Sequence, residues 1–178
     1  LRSLFEAGRR GDLFTEVFRM AGVKVDEHYI ALLVDLYRSH PPRIAPCVDF
    51  DVVRALRAKG FKTGVVTDGW KNVQASKIEA LGIAGDIDSI ILTDALGGPG
   101  FWKPSPEPFK KVLERLDVKP SEAVYVGDNP AKDFIGAHSA GMKAIWLRRR
   151  GAEHSEDVLP SSAHAPDAVI ESLGELLK

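Results

Sequence analysis

The chain has 178 residues, of which 44% are hydrophobic and 28% charged, and its formal net charge is -1. A chain of this size can bury one substantial core with a small appendage, and its balanced charge gives no reason to expect a nucleic acid or a membrane as partner. No apolar run is long enough to span a bilayer, and no secretory signal opens the sequence. The single cysteine, Cys47, excludes an internal disulfide and fits a reducing compartment, so we predict a cytoplasmic protein.

Residues 1–45 predict a small helical segment. Apolar residues recur at helical spacing within residues 12–21 and again within 26–39, and a short turn between the two runs predicts an antiparallel helix pair. The proline-containing stretch 40–46 then breaks the pattern and indicates a linker. Residue 1 is leucine rather than methionine, so we expect the chain to begin partway through a longer gene product.

Residues 46–178 alternate between strand and helix patterns. A helix ending at Gly60 comes first, and residues 151–166 are the one stretch of low hydrophobicity, which predicts an exposed loop. Strands that alternate with helices predict an α/β fold with a Rossmann-like parallel sheet covered on both faces. In such sheets functional residues gather at the carboxyl ends of the strands. The predicted strands lie in FKTGVVTDG, IDSIILTD, AVYVGD, KAIWLRR and DAVI.

Two acids follow one of these strands. Asp128 ends AVYVGD, and Asp133 follows five positions later, about one turn into the next helix. Mg²⁺ prefers oxygen ligands and keeps several waters, so one or two carboxylates suffice to bind it. We therefore predict Asp128 as a direct metal ligand and Asp133 as a second acid that acts directly or through water. Taken alone, Asp128 is more typical of a turn and Asp133 of a solvated helix surface, so the prediction depends on the residues being found together.

A phosphate site is predicted beside the acids. Thr67 and the backbone N–H groups of Asp68 and Gly69, at the end of the first predicted strand, can donate hydrogen bonds to phosphate oxygens. Lys103, where a glycine-rich loop leads into a helix, can bind a further oxygen and offset the repulsion between carboxylates. Phosphoryl transfer needs little from a protein beyond positioning and charge neutralisation. We expect all these residues to meet at one rim of the sheet.

The ordered segments VVTDG, KPSPEPF and GDNPAKD resemble three of the four motifs of the haloacid dehalogenase (HAD)-like hydrolase superfamily. Members of that superfamily are chiefly Mg²⁺-dependent phosphatases of small molecules. The resemblance covers residues 46 to about 175 as a Rossmann-like hydrolase core. It also covers residues 1–45, which look like part of the small α-helical cap of the family.

The resemblance assigns catalytic roles to four residues. It implies that Thr67 is the phosphate-binding hydroxyl and Lys103 the stabilising cation, and that Asp128 and Asp133 are the metal-binding acids. It further implies Mg²⁺ as cofactor, a small phosphorylated metabolite as substrate and an aspartyl-phosphate intermediate.

The family's first motif, Asp-x-Asp-x-Thr at the end of the first strand, has no match in this sequence. Asp49 and Asp51 in VDFDVV form half of such a motif, but Val53 stands where the threonine belongs. Pro46 also makes the preceding segment a poor candidate for a buried strand. We interpret both acids as helix-start residues that the helix dipole favours, not as the nucleophile. The first core strand is thus expected to be absent and this chain alone to be inactive. The sheet edges left unpaired favour self-association.

Other functions remain open at this point. A dehalogenase of the same superfamily does not need the metal-binding acids. A phosphoacceptor domain of the response-regulator type has its lysine on a later strand than its aspartate, whereas Lys103 precedes Asp128. A pseudoenzyme or phosphate-binding interaction module would use the same site without a nucleophile.

Trp70 and Trp102 flank the site in sequence and either line a substrate entrance or pack against other residues. The five histidines lack the spacing of zinc ligands.

Overall fold

The computed structural model describes residue 4 and residues 11–178. The chain divides into two compact units, Leu1–Pro42 and Arg43–Lys178, with the boundary three residues before the predicted one. Among the described residues, no helix combines the length and the apolar character needed to cross a bilayer.

The described part of the first unit forms two helices, α1 (Leu13–Met20) and α2 (Glu27–Ser39). Asp26 caps α2, because its side chain accepts a hydrogen bond from the backbone N–H of His28 at 2.7 Å. The ring of Phe14, near the start of α1, lies edge-on to that of Tyr37, near the end of α2, at 6.3 Å. This contact is that of an antiparallel helix pair, as the sequence predicts. That the unit serves as a cap stays a prediction.

The second unit alternates helices and strands, which confirms the predicted α/β class. All its strand pairs are parallel. Its helices are α3 (Asp51–Ala58), α4 (Lys71–Leu81), α5 (Glu107–Leu116) and α6 (Asp133–Ser139), and its strands are β1 (Gly64–Thr67), β2 (Ser89–Leu92), β3 (Val124–Gly127), β4 (Lys143–Leu147) and β5 (Ala168–Ile170).

The strands form two separate sheets. β1 pairs with β2 in one sheet, and the other has the order β3-β4-β5. Within residues 11–178, β1 and β3 therefore each keep one edge that no described strand pairs with. The predicted absence of a first core strand stays a prediction, since it concerns chain that these residues do not include.

Helix α5 packs against both sheets through one apolar stripe. Its Val112 lies in a buried cluster with Val66 of β1, whereas its fully buried Phe109 belongs to the cluster around Trp146 of β4. Tyr125 of β3 stands edge-on to Phe109 with ring centroids 4.8 Å apart and packs against both clusters. The helix therefore holds the carboxyl ends of β1 and β3 near each other without direct pairing between the two strands.

Candidate functional site

Lys103 lies at the centre of the site. Its Nζ donates hydrogen bonds to Asp133 Oδ1 at 2.7 Å and to the Tyr125 hydroxyl at 2.9 Å. Only 9% of its side chain is exposed. Burial works against the charged ammonium, but the Tyr125 oxygen and the Asp133 carboxylate outweigh it, so the pKa of Lys103 lies above its ordinary value. The lysine is thus a fixed positive charge at the predicted rim.

Asp68 ties the end of β1 to the loop that carries Lys103. Its Oδ1 accepts hydrogen bonds from the backbone N–H of Lys103 at 3.1 Å and from the Thr93 hydroxyl at 3.0 Å. Its Oδ2 lies 3.4 Å from the Nζ of Lys132, the residue before α6. Because β1 and β3 do not pair with each other, these polar contacts join the two sheets at this rim.

Asp133 is almost fully buried in the first turn of α6, at 1% exposure. Asp133 Oδ1 accepts the hydrogen bond from Lys103 Nζ, and Asp133 Oδ2 accepts one from the backbone N–H of Asn129 at 2.9 Å. Gly127 makes this approach possible, because a Cβ there would lie 2.5 Å from Asp133 Oδ2. Both oxygens of Asp133 are therefore engaged by the protein itself.

Asp128 is exposed at the end of β3. Its backbone carbonyl accepts a hydrogen bond from the Trp146 indole N–H at 3.0 Å. Trp146 is buried at 5% exposure and belongs to the core. In the part of the chain that the structure describes, no hydrogen bond or ion pair engages the Asp128 carboxylate, so this acid remains available to a ligand.

The available donors fit a hydrated Mg²⁺ ion. Such an ion keeps most of its waters and can be held by one or two carboxylates. Asp128 supplies an exposed one, whereas Asp133 is buried and already accepts a hydrogen bond at each oxygen. No group of three or more His, Cys, Asp or Glu side chains within residues 11–178 is arranged to enclose a metal. The roles of Asp128 and Asp133 as metal ligands stay predictions.

Thr67 is held at the same rim by a residue of α4. Its hydroxyl donates to Gln74 Oε1 at 2.9 Å, and its carbonyl accepts from the Thr93 hydroxyl at 3.2 Å. Gly69 has a φ of 119°, in the region that favours glycine, and a Cβ there would lie 2.6 Å from Gln74 Nε2. Phosphate binding by Thr67 and by the N–H groups of Asp68 and Gly69 stays a prediction.

The structure brings Asp68, Lys103 and Asp133 into direct contact, although 35 residues separate the first two and 30 the last two. Sequence patterns do not reveal two groups that complete this cluster, Tyr125 and Thr93. Thr93 directly follows β2, so the rule that polar residues gather at strand ends does include it. A lone threonine there is nevertheless indistinguishable from a turn residue. The hydroxyl of Tyr125 is hidden in an apolar strand pattern.

Trp70 and Trp102 contact each other beside this cluster. Their ring centroids are 6.1 Å apart with an interplanar angle of 84°, an edge-to-face contact. Trp70 is 45% exposed. The two rings therefore pack together, and a role of the pair at a substrate entrance stays a prediction.

The half-motif Asp49 and Asp51 lies elsewhere. Asp51 stands in the first turn of α3, as predicted, and pairs with Arg54 at 2.6 Å. Asp49 instead binds the Arg149 guanidinium at 2.8 Å and the backbone N–H of Leu173 at 2.8 Å. The interpretation of Asp49 as a helix-start acid is therefore wrong, because these long-range partners take its carboxylate.

The profile of the haloacid dehalogenase-like hydrolases matches residues 11–147. The match spans most of the chain, and it includes the ends of β1 and β3 together with Lys103. The chain therefore belongs to the haloacid dehalogenase-like hydrolase family, as its motifs predict. A domain of the response-regulator type is set aside.

Three similar proteins illustrate the range of the family. A glyceraldehyde 3-phosphate phosphatase of Methanopyrus kandleri is 32% identical over 202 residues, covering 99% of this chain and 84% of the relative. The crystal structure of a HAD phosphatase from Thermococcus onnurineus has 30% identity and a TM-score of 0.61, covering 96% of this chain and 74% of that one. A 2-haloacid dehalogenase from Pseudomonas syringae pv. Tomato DC3000 has 34% identity and a TM-score of 0.58, covering 72% of this chain and 49% of that one.

Proposed function

We propose that this chain supplies the phosphate- and metal-positioning part of a Mg²⁺-dependent phosphatase that acts on a small phosphorylated metabolite. The observation that carries the proposal is the buried ammonium of Lys103, held by Asp133 and joined through its backbone to Asp68. A preorganised positive charge at the carboxyl ends of parallel strands is suited to a phosphoryl group. The names of the phosphatase relatives agree with this function.

Each residue has a separate task in the proposed reaction. Lys103 offsets the charge of the phosphoryl oxygens. The Thr67 hydroxyl, which donates to Gln74 in this structure, turns its proton to one of these oxygens when phosphate binds. Asp128 holds a hydrated Mg²⁺, which when bound supplies further charge neutralisation. Asp133 fixes the lysine and the loop after β3. The reaction runs through an aspartyl-phosphate, and we place its nucleophilic aspartate outside residues 11–178.

A free acid in the described site favours a phosphatase over a dehalogenase. Asp128 keeps an exposed carboxylate beside a buried second acid that accepts a hydrogen bond at each oxygen. An exposed carboxylate there suits a hydrated cation and has no task in a reaction without a metal. The similarity to a dehalogenase structure reflects the common fold and family. The cytoplasmic location stays a prediction.

Binding of Mg²⁺ and inorganic phosphate to the full chain tests the proposal. We expect Mg²⁺ to shift the amide NMR signals around Asp128, and phosphate to shift those around Thr67. Asp128→Asn should weaken Mg²⁺ binding by roughly tenfold or more, because it removes the exposed carboxylate that the described site offers to the ion. Thr67→Val should weaken phosphate binding only. Asp51→Asn makes the same charge change at an exposed acid far along the chain and serves as control.

Two outcomes would change the proposal. A wild-type chain that binds neither Mg²⁺ nor phosphate would overturn it. We also expect no hydrolysis of an aryl phosphate by this chain alone; turnover that Asp128→Asn abolishes would support the phosphatase and refute the predicted inactivity. Binding without turnover, in a longer chain that includes the first motif, would instead favour a phosphate-binding interaction module.

A further inference from the structure

Three side chains form a continuous hydrogen-bonded chain beside the loop of residues 127–133, here called the acid loop. Asn129 Nδ2 lies 3.0 Å from His154 Nε2, and His154 Nδ1 lies 2.7 Å from Asp157 Oδ2. The side chain of His154 is only 23% exposed. A loop predicted from its composition to be merely exposed thus reaches back to the strand end that carries the acids.

One arrangement of protons satisfies all three side chains. The Oδ1 of Asn129 accepts a hydrogen bond from the backbone N–H of Ala131 at 3.0 Å, so the side-chain NH₂ group of Asn129 faces His154. Because an amide NH₂ only donates, Nε2 of His154 must act as acceptor and carry no proton. The neutral imidazole then has its proton on Nδ1, which donates to Asp157.

Asn129 connects this chain to both acids of the site. It directly follows Asp128, and its backbone N–H donates to Asp133 Oδ2 at 2.9 Å. A displaced Asn129 side chain would therefore disturb the backbone on which Asp128 stands and the hydrogen bond that holds Asp133.

The loop that carries His154 is itself anchored. Arg148 Nε, directly after β4, donates to the Ser155 carbonyl at 2.6 Å, and the Ser155 hydroxyl donates to the Ala152 carbonyl at 2.9 Å. Ser155 is buried at 5% exposure. The imidazole is thus supported from its own side as well as by Asp157, so it can hold a partner in place.

We propose that His154 and Asp157 are positioning residues, which hold Asn129 and with it the acid loop in the conformation that offers Asp128 to Mg²⁺. That the acid loop binds Mg²⁺ rests on the proposed function, whereas the support of Asn129 by His154 and Asp157 does not depend on it. Neither residue contacts the ion or the phosphate. Groups that orient a metal ligand through hydrogen bonds typically change metal affinity by roughly 10- to 100-fold.

Variants of the full chain, with Mg²⁺ alone as probe, test the proposal. His154→Leu removes the acceptor for Asn129 and should weaken Mg²⁺ binding about tenfold. His154→Gln provides a carbonyl oxygen that Asn129 can reach and should retain most of the affinity. His164→Leu is the control, because this histidine bonds only to the nearby Ser161 among described residues, and it should leave the affinity unchanged.

An NMR measurement of the imidazole nitrogens gives a readout that does not depend on the metal. We expect neutral His154 with its proton on Nδ1, and side-chain NH₂ signals of Asn129 that shift in His154→Leu. A proton on Nε2, unchanged Mg²⁺ affinity in His154→Leu, or an equal loss in the Leu and Gln variants would overturn the proposal. If the wild-type chain binds no Mg²⁺, the proposed function fails, and the tautomer and the Asn129 signals still decide whether His154 holds the loop.

Discussion

Gly127 lies where the Asp133 carboxylate comes closest to the backbone of β3. A Cβ at this position would stand 2.5 Å from Asp133 Oδ2 and 2.7 Å from its carboxyl carbon, distances that no packed structure accepts. Any larger residue must displace either the strand or the acid that holds Lys103. The glycine is therefore required by the buried ion pair rather than by the turn alone.

Gly127→Ala is expected to lower the free energy of unfolding by about 2 kcal/mol, because overpacking of a filled site typically costs 1–3 kcal/mol. Gly100→Ala is the matched control, since a Cβ there meets no atom within 4 Å, and its effect should stay within about 0.5 kcal/mol. Urea denaturation of the full chain measures both. Equal stabilities of the two variants would contradict the predicted clash.

Tyr125 is the second residue whose environment has a measurable consequence. Burial raises the pKa of its hydroxyl to about 12, above the ordinary value of about 10. The unfolded chain therefore releases this proton first, and the free energy of unfolding falls as the pH rises from about 10 toward about 12. We expect an absorbance titration to show a late phenolate step that Tyr125→Phe removes. A titration curve that the substitution leaves unchanged would refute this assignment.

Among single residues, the sequence predicts the members of the site better than their partners. Thr67, Lys103 and Asp128 are predictable because each stands at the end of a recognisable segment. The contact of Lys103 with Tyr125 is not, since 22 residues separate them and nothing in a strand pattern shows which way a hydroxyl faces. Gln74 is hidden for the same reason within a helix pattern.

At the scale of elements, Asp49 ties the start of the second unit to its end. Its carboxylate accepts two hydrogen bonds from Arg149 Nη2, at 2.8 and 3.0 Å, across 100 residues of sequence. Its side chain is 16% exposed. Partial burial opposes its charge, but the hydrogen bonds from Arg149 and the Leu173 N–H outweigh burial, and the pKa of Asp49 is lowered.

Asp49→Ala is expected to cost about 2 kcal/mol of unfolding free energy near neutral pH, because it removes hydrogen bonds to a charged group. A carboxylate with a lowered pKa stabilises the fold above its ordinary value of about 4, and the stabilisation is lost as the pH falls through the folded-state pKa. The difference in unfolding free energy between Asp49→Ala and the wild type should therefore become smaller as the pH falls below about 4.

Asp51→Ala is the control for this comparison. Asp51 is 82% exposed and pairs with Arg54 within one helix turn, so its removal should cost at most about 0.5 kcal/mol. Thermal or urea unfolding at neutral pH and in acid compares the two variants. A cost of Asp51→Ala equal to that of Asp49→Ala would contradict the long-range tie.

The elements themselves are largely predictable, and their ends less so. Apolar residues at helical spacing predict α5, and Ser105 is the residue type favoured as its N-cap, but the helix begins at Glu107, two residues later. The Ser105 hydroxyl still accepts the Glu107 N–H at 3.4 Å. The loop of residues 151–166 carries no apolar signal, so the burial of Ser155 could not be foreseen.

For the whole molecule, alternation of strands and helices predicts a parallel α/β fold, but it cannot predict which strands pair. Strand pairing depends on contacts between distant segments, and no single strand pattern specifies its neighbour. The missing first motif predicts unpaired sheet edges, but the pairing of β1 with β2 and the order β3-β4-β5 are seen only in the structure. The edge of β3 that no strand within residues 11–178 pairs with is a surface on which another chain can add a strand.

Val124→Lys tests whether this edge mediates self-association, which stays a prediction. Val124 opens β3 and is 50% exposed, and a lysine on an edge strand opposes pairing with a second copy. We expect the wild type to associate at high concentration in sedimentation velocity and Val124→Lys to associate less. Val169→Lys, on β5 at 52% exposure, should behave as the wild type. Association that neither variant reduces would exclude the β3 edge.

The peptide group between Asp128 and Asn129 is fixed at both of its polar atoms. Its carbonyl is bound by the Trp146 indole and its N–H by Asp133. Since the plane of this amide cannot turn without breaking one of the two bonds, the main chain cannot shift to compensate for a longer side chain at position 128. A glutamate in place of Asp128 could not be accommodated by a retreat of the main chain, so an added methylene would carry the charge past the position that aspartate reaches.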